Sequence, residues 1–276
     1  MVKPKIPQHY IRVPKEIILQ SELPEHRISA LIYLHYNQTW EEIVNYSSNH
    51  MIQWCGYKTN WRRGTTENIF TKFRDSMQWL FKNGYLIDFD KDKYVQNTFQ
   101  SSLLNKEKLL PKSNYGNIYD FEIKTIMEYE SPYKPLNRSI LLLLLSYIRA
   151  FTWIRKTEIS GHSEKSKKAK PEIFYSQFET IGEHLGISPR MISRATTVLE
   201  ELGLITTHRM PSYKNKDNEW RTNDIIYLCP YRLIWDKSIN NFRLCSKEEY
   251  NWQNELSYGI KYLSECKYSD KKFYQD

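Results

Sequence analysis

Apolar positions recur along the chain at two spacings, three-to-four and two, and the switches between them mark its elements. Phe178, Ile181 and Leu185 fall three and four apart, one face of a short helix. Gly186 follows, where a left-handed stop ends such a helix. Ser188 is placed to cap the next helix, with Pro189 at its first position. That helix buries Ile192, Ala195, Leu199 and Leu202, and its other face shows Arg190, Met191, Ser193, Arg194 and Thr197. Gly203 ends it. Leu204 to Thr207 and Ile225 to Leu228 then read as two strands, joined by a loop, 210–221, that carries Lys214, Lys216 and Arg221.

A similar order runs earlier, from Arg27 to Phe99. Ile28, Leu31, Ile32 and residues 34–36 make a first helix, and Ile43 to Ser47 precede a helix over Asn49 to Cys55 that Gly56 closes. Thr66 opens a long helix with Ile69, Phe70, Phe73, Met77, Leu80 and Phe81 inward, ending at Asn83 and Gly84, and a strand follows over Tyr85 to Phe89. A Tyr-Ser pair precedes the second helix of each copy, Tyr46-Ser47 in the first and Tyr175-Ser176 in the second, and lines the two up. The first copy has an insert, Tyr57 to Glu67, in which Lys58, Arg62 and Arg63 alternate with Tyr57 and Trp61. Cations interleaved with aromatics suit a phosphate backbone or an unpaired base. Lys72 and Arg74 on the long helix are further candidates.

Helix, tight turn, helix and hairpin is the order of a winged helix-turn-helix. The expected fold class is therefore α+β, mainly α, with two such domains in tandem. The expected bounds are 9–99 for the first, 100–137 for a linker, 138–236 for the second and 237–276 for a helical tail. Within the linker, Ser101-Ser102 and residues 111–114 read as loop and Phe121 to Tyr129 as a short helix. The run Leu141 to Leu145 reads as the buried first helix of the second domain. Residues 156–172 read as a polar loop. In the tail, Ser246 and Glu249 have capping-box spacing, and Trp252, Leu256, Gly259, Ile260 and Leu263 share a face expected to fold back on the second domain.

Charge adds a direction. The 276 residues hold 40 Lys and Arg against 32 Asp and Glu, a net +8 with pI near 9.1. Residues 1–89 carry +3 and residues 138–236 carry +4, so the excess follows the two copies and favours an anionic partner. Arg190 and Arg194, four apart, share one exposed face, and arginine forks onto guanine or phosphate oxygens. Ser188 and the free N–H groups at the helix start suit a phosphate. The alternative for all these cations is a solvated or protein-contacting surface.

Signatures of catalysis are missing from the sequence. There is no GxxxxGK[ST], HExxH, GxSxG or GxGxxG. The seven histidines never flank an apolar residue as a nickase pair, and adjacent carboxylates such as Glu200-Glu201 point apart on a helix. No enzyme activity, cofactor or metal is expected. Asp88, Asp90 and Asp92 alternate as in some metal loops, but Lys93 and Phe99 stand where such a loop needs Gly and Glu, so a plain turn is expected. Cys55, Cys229, Cys245 and Cys266 show no CxxC spacing and read as reduced thiols. The five-leucine run is too short for a membrane span, and the expected location is cytoplasmic.

The order of parts resembles tandem winged-helix replication initiators of bacterial plasmids and replisome-organiser proteins of phages and mobile elements. Three pieces carry the likeness: His9 to Pro14, a short strand before the first helix; Trp54 to Tyr57 with Phe73, Leu80 and Asn83 to Ile87; and Ile181-Gly182, Leu185 to Ser188, Leu199 and Leu202 to Ile205. The resemblance implies a sequence-specific binder of double-stranded DNA, acting on directly repeated origin sequences and recruiting a replicative helicase or its loader. Arg190 and Arg194 match the recognition-helix positions; Lys72 and Arg74 match less securely, because the Tyr57–Glu67 insert departs from the pattern. A transcriptional regulator, or an adaptor protein of a replication or conjugation assembly, are the alternative functions.

Overall fold

The computed structural model of the chain describes residues 10–19, 22, 24–38, 43–57, 66–94, 99–109, 115–130, 136–152, 171–214, 219–221, 224–236, 238 and 241–267. Helices and small antiparallel sheets alternate along it. The chain divides into two compact units. The N-terminal unit gathers Gln8–Ala150 with Glu183–Ile187, and the C-terminal unit includes Phe151–Gly182 and Ser188–Asp276.

In the N-terminal unit the opening strand β1 (Tyr10–Pro14) leads to the one-turn helix α1 (Lys15–Ile18) and to α2 (Pro24–Tyr36), buried from His26 to Leu34. Then come β2 (Ile43–Ser47), α3 (Ser48–Trp54) and α4 (Thr66–Lys82). The Ser47 hydroxyl accepts the His50 N–H at 3.2 Å and caps α3. Phe73, Met77 and Leu80 of α4 are buried, and Ile69, Phe70 and Phe81 half-buried. Strand β3 (Phe99–Leu103) pairs with β2 on one edge, and Leu86 bridges Leu104 beyond its other edge.

The described residues between 100 and 137 include two strands and two helices where a linker was expected. Ser101 and Ser102 lie in β3, where polar cross-strand pairs replace the apolar alternation that signals a strand. The Ser101 hydroxyl donates to Asn45 Oδ1 at 2.6 Å, and buried Ser102 Oγ lies 3.3 Å from the Tyr46 hydroxyl. After the short α5 (Lys106–Leu109), β4 (Tyr115–Tyr119) pairs with β1. Helix α6 (Asp120–Glu128) is the short helix expected there. Its Glu122, with no exposed surface, accepts the Tyr119 N–H at 2.8 Å and an Arg149 guanidinium N–H. Arg149 lies on α7 (Arg138–Phe151), whose residues Leu141 to Ile148 are buried on every side. A Cβ on Gly116 of β4 would lie 2.8 Å from Ser146 O and Ala150 N, so strand backbone rests directly on α7. That contact and the Glu122–Arg149 pair place α7, as far as Ala150, with the N-terminal unit and not in a domain starting at 138.

In the C-terminal unit β5 (Phe174–Ser176), β6 (Thr206–Arg209) and β9 (Ile225–Leu228) form one antiparallel sheet in the order β5–β9–β6. Helices α8 (Phe178–Leu185) and α9 (Pro189–Glu201) run between the first two strands. Two-residue strands β7 (Tyr213–Lys214) and β8 (Trp220–Arg221) continue the β6–β9 hairpin as a ribbon. A second hairpin, β10 (Leu233–Asp236) with β11 (Asn241–Leu244), crosses the boundary expected at 236. Ser246 and Glu249 make their reciprocal capping bonds, at 2.9 and 3.4 Å, but these close only a turn. The terminal helix α10 (Trp252–Tyr262) starts later, capped by Asn251, which accepts from Gln253 N and Asn254 N at 3.0 and 3.2 Å. It folds back on the sheet as expected: Trp252, Leu256 and Ile260 pack on Ile173, Met210, Ile226 and Leu228.

The two copies share a register. Gly56 and Gly186 end the second helix of each, and Gly84 and Gly203 the third; all four have φ between 64° and 85°, where only glycine sits without strain. After Gly84 and Gly203 the next N–H reaches back to the helix, Tyr85 to Leu80 O and Leu204 to Leu199 O, each at 2.9 Å. Across the first sheet Ile43 stands opposite Leu103, which stands opposite Ile87 (Ile87 N donates to Leu103 O at 2.9 Å). Across the second, Thr206 stands opposite Leu228 and Phe174 opposite Tyr227, which brings Ile173 beside Leu228. The step along the chain from Ile43 to Ile173 therefore equals the step from Gly56 to Gly186. The step from Tyr46-Ser47 to Tyr175-Ser176 falls one residue short of it, and in a strand one residue reverses the face. Accordingly Tyr46 points inward to Ser102, whereas Tyr175 packs in the outer cluster under α10.

Candidate nucleic-acid interface

Helix α9 is built from local signals. The Ser188 hydroxyl accepts the Met191 N–H at 3.4 Å, Pro189 occupies the first turn, and Ile192, Ala195 and Leu199 are buried with Thr196. Leu202, expected in the buried stripe, is half-buried. Opposite that stripe, Ser188, Arg190 and Thr197 are exposed, and Met191, Ser193 and Arg194 half-buried. The exposed Thr197 donates its hydroxyl to Ser193 O at 3.2 Å. Both arginines lie in the first half of the helix, and the acids Glu200 and Glu201 at its end. Glu200 also accepts from the Thr207 N–H and hydroxyl at 2.9 and 2.7 Å, fixing the angle between α9 and the hairpin. The electropositive end of the helix dipole and both guanidiniums therefore coincide.

The ribbon after β6 carries two more of the expected cations. Lys214 stands opposite Trp220 and Arg221 opposite Tyr213, and Met210 N donates to Asp224 O at 3.2 Å where the ribbon joins the sheet. Lys216, and Lys58, Arg62 and Arg63 of the first copy's insert, lie outside the described residues. Arg209 was not among the expected residues. It ends β6, exposed, with its guanidinium 5.5 Å from the Phe178 ring at the start of α8. Its signal in the sequence was slight, a single cation in the threonine-rich strand after Gly203.

The corresponding parts of the first copy differ. Lys72 and Arg74 are half-buried on α4. Arg74 Nε is 3.7 Å from Asp75, whose other neighbour, Lys91, is 3.6 Å away. The turn after Ile87 is the plain turn expected: Asp92 N donates to Asp90 Oδ1 at 3.0 Å and Tyr94 N to Lys91 O at 3.2 Å. It exposes Asp88, Asp90 and Asp92, where the second copy's ribbon carries lysine and arginine. The Lys93 ammonium, 3.2 Å from Asp90, and the Asp92 N–H hold the Asp90 carboxyl below its ordinary range. Arg74 is thus met by a carboxylate of its own unit.

Other groups are structural. Cys55 is fully buried and burial pushes its thiol up, against the thiolate a ligand or nucleophile needs. Cys55, Cys229 and Cys245 are free thiols. Among the described residues no His, Cys, Asp and Glu group is arranged to hold a metal, and no helix is long and apolar enough to cross a membrane. No protein-family model matches the chain, and no curated protein matches it.

Proposed function

We propose that the chain is a sequence-specific double-stranded DNA-binding protein built on two winged-helix copies, with α9 as the recognition helix and the β7–β8 ribbon as the wing. The observation that carries this reading is the outward face of α9. It joins a serine-capped N-terminus, two arginines one turn apart and an exposed threonine, on a helix pinned to its hairpin by Glu200. Recognition helices of this kind enter the major groove with their N-terminal residues against base edges. Arginine suits guanine O6 and N7, and a methyl group suits the thymine methyl. Arg209, Lys214 and Arg221 would track the phosphates flanking that groove.

The biological setting proposed is replication initiation on a mobile genetic element such as a plasmid or phage, with repeats in the neighbouring DNA as the site and the replicative helicase or its loader as partner. Base reading is assigned to α9, since Asp75 and the acidic turn after Ile87 disfavour DNA at the first copy.

Selection from a random duplex pool, followed by binding of the selected site, tests the DNA reading. Arg190→Ala with Arg194→Ala is expected to lower the ratio of specific to non-specific affinity tenfold or more, with a smaller loss of general affinity. Unchanged affinity and preference in that variant would refute the assignment. For replication, a marker plasmid carrying the DNA beside the gene should be maintained only when the chain is supplied; maintenance without it refutes the setting.

A further inference from the structure

The register shared by the two copies makes their sheet faces comparable, and among the described residues that of the first copy leaves large apolar side chains exposed beside a half-buried Ile43. In the second copy the outer face carries Ile173, Ile226 and Leu228, which are 4%, 0% and 0% exposed beneath Trp252, Leu256 and Ile260 of α10. By the shared register, Ile43 and Leu103 take the places of Ile173 and Leu228, Ile87 that of Thr206, and Ser101 that of Ile226. Leu103 is 39% exposed and Ile87 58%, and Phe99, farther along β3 on the same face, 77%. Apolar side chains on a sheet face left in water mark a contact surface.

Helix α10 shows the shape of the occupant. It presents bulky residues at i, i+4 and i+8, and a glycine where its backbone meets the sheet: a Cβ on Gly259 would lie 2.8 Å from Ile173 Cδ1. The charge at the rim gives the second constraint. Asp88 follows Ile87 directly, and the turn holds three exposed carboxylates. Lys93 answers Asp90 and Lys91 is drawn to Asp75, and among the described residues no cation reaches Asp88 or Asp92 at ion-pair distance. A helix with lysine or arginine beside its apolar stripe complements this rim.

We propose that the first copy is a protein-docking module whose Ile43–Leu103–Ile87 face takes an amphipathic helix of a partner protein, apolar at i, i+4 and i+8 and basic at its flank. Helix-in-groove recognition of this kind is read through just such anchors. One chain would then join a DNA-reading copy to a partner-holding copy, an arrangement that rests on the DNA reading only for its second half.

Selection of displayed helical peptides against the full chain tests this. Enriched peptides should share the apolar stripe and carry lysine or arginine at its flank. Their affinity should fall at least tenfold on Ile87→Thr with Leu103→Thr, strand-compatible replacements that remove the apolar contact without setting like charges opposite each other, with the thermal midpoint measured alongside. Duplex DNA binding through α9 should persist in the same variant, which separates this outcome from the DNA reading. The proposal is overturned if no such peptide is enriched, or if the variant binds the peptides within twofold. It is equally overturned if sedimentation shows a dimer that the variant breaks, which would assign the face to a second copy of the chain.

Discussion

Removing the carboxylate of Glu122 is expected to unseat α7 from the N-terminal unit. Glu122 has no exposed surface; one oxygen accepts the Tyr119 N–H at 2.8 Å and the other accepts from Arg149, whose side chain is 12% exposed. In Glu122→Ala the mostly buried guanidinium loses the carboxylate at this contact, which costs about 3–5 kcal/mol. The lost cap at the start of α6 adds about 1 kcal/mol. Glu122→Gln keeps an oxygen for Tyr119 but no charge, so it should lose about 3 kcal/mol, mostly the ionic part. With a urea slope of about 2 kcal/mol per molar, the Ala variant should unfold at a midpoint about 2 M lower. Removing both charges, in Glu122→Met with Arg149→Met, should cost less than either single change, because an apolar pair replaces a buried ionic one with little loss. Circular dichroism against urea for the wild type, the single variants and the double variant measures all of this, and the coupling follows from the cycle. A single-variant cost below about 1 kcal/mol, or additive losses in the double variant, would refute the claim that this pair holds α6 to α7.

Two further outcomes are expected. For the wing, Lys214→Ala with Arg221→Ala should weaken all duplexes alike and reduce the slope of log affinity against log salt by about 1.8, at about 0.9 per phosphate contact. Between about 50 and 200 mM salt that amounts to about a twelvefold smaller loss of affinity than wild type, and an unchanged slope in titrations by anisotropy would remove both side chains from the interface. For pH, burial raises the Tyr33, Tyr46 and Tyr147 phenols to about 12, whereas in an unfolded chain they ionise near about 10. Their folded values lie above the unfolded ones, so the contribution is whole below about pH 10 and is lost as pH rises towards 12, by at most about 1.4 kcal/mol per unit for each. Urea midpoints at pH 9, 10 and 11 should fall between the last two; a flat midpoint would show these phenols to be solvated.

The parts of the fold that chain neighbours dictate are readable in the sequence. Gly56, Gly84, Gly186 and Gly203 mark helix ends because a left-handed residue is a local requirement, and Ser188-Pro189 marks the start of α9 for the same reason. The parts that depend on distant partners are not. Ser101 and Ser102 look like loop until Asn45 and Tyr46 lie beside them. Hairpin β10–β11 hides in a segment whose turn, not its hydrophobicity, defines it. Helix α7 is apolar all round, so its sequence announces burial without saying which unit buries it; Gly116, far from it along the chain, decides that. For the candidate interface, the arginines of α9 are legible because an amphipathic helix exposes what it does not bury. Arg74 loses weight only when its place beside Asp75 comes into view, and Arg209 gains it only with Phe178 underneath.

The shared register also records how the copies came to differ in length. From the glycine that ends the second helix to the one that ends the third, the first copy (Gly56 to Gly84) takes the longer path and the second (Gly186 to Gly203) the shorter. From there to the equivalent row of the sheet the order reverses, with Gly84 to Leu103 the shorter stretch and Gly203 to Leu228 the longer. If both descend from one ancestral segment, change lengthened or shortened only the connections and left the paired strands in step. Each copy is long where the other is short. The second copy joins its helices by a short path and its sheet by a long one, and the first copy does the reverse.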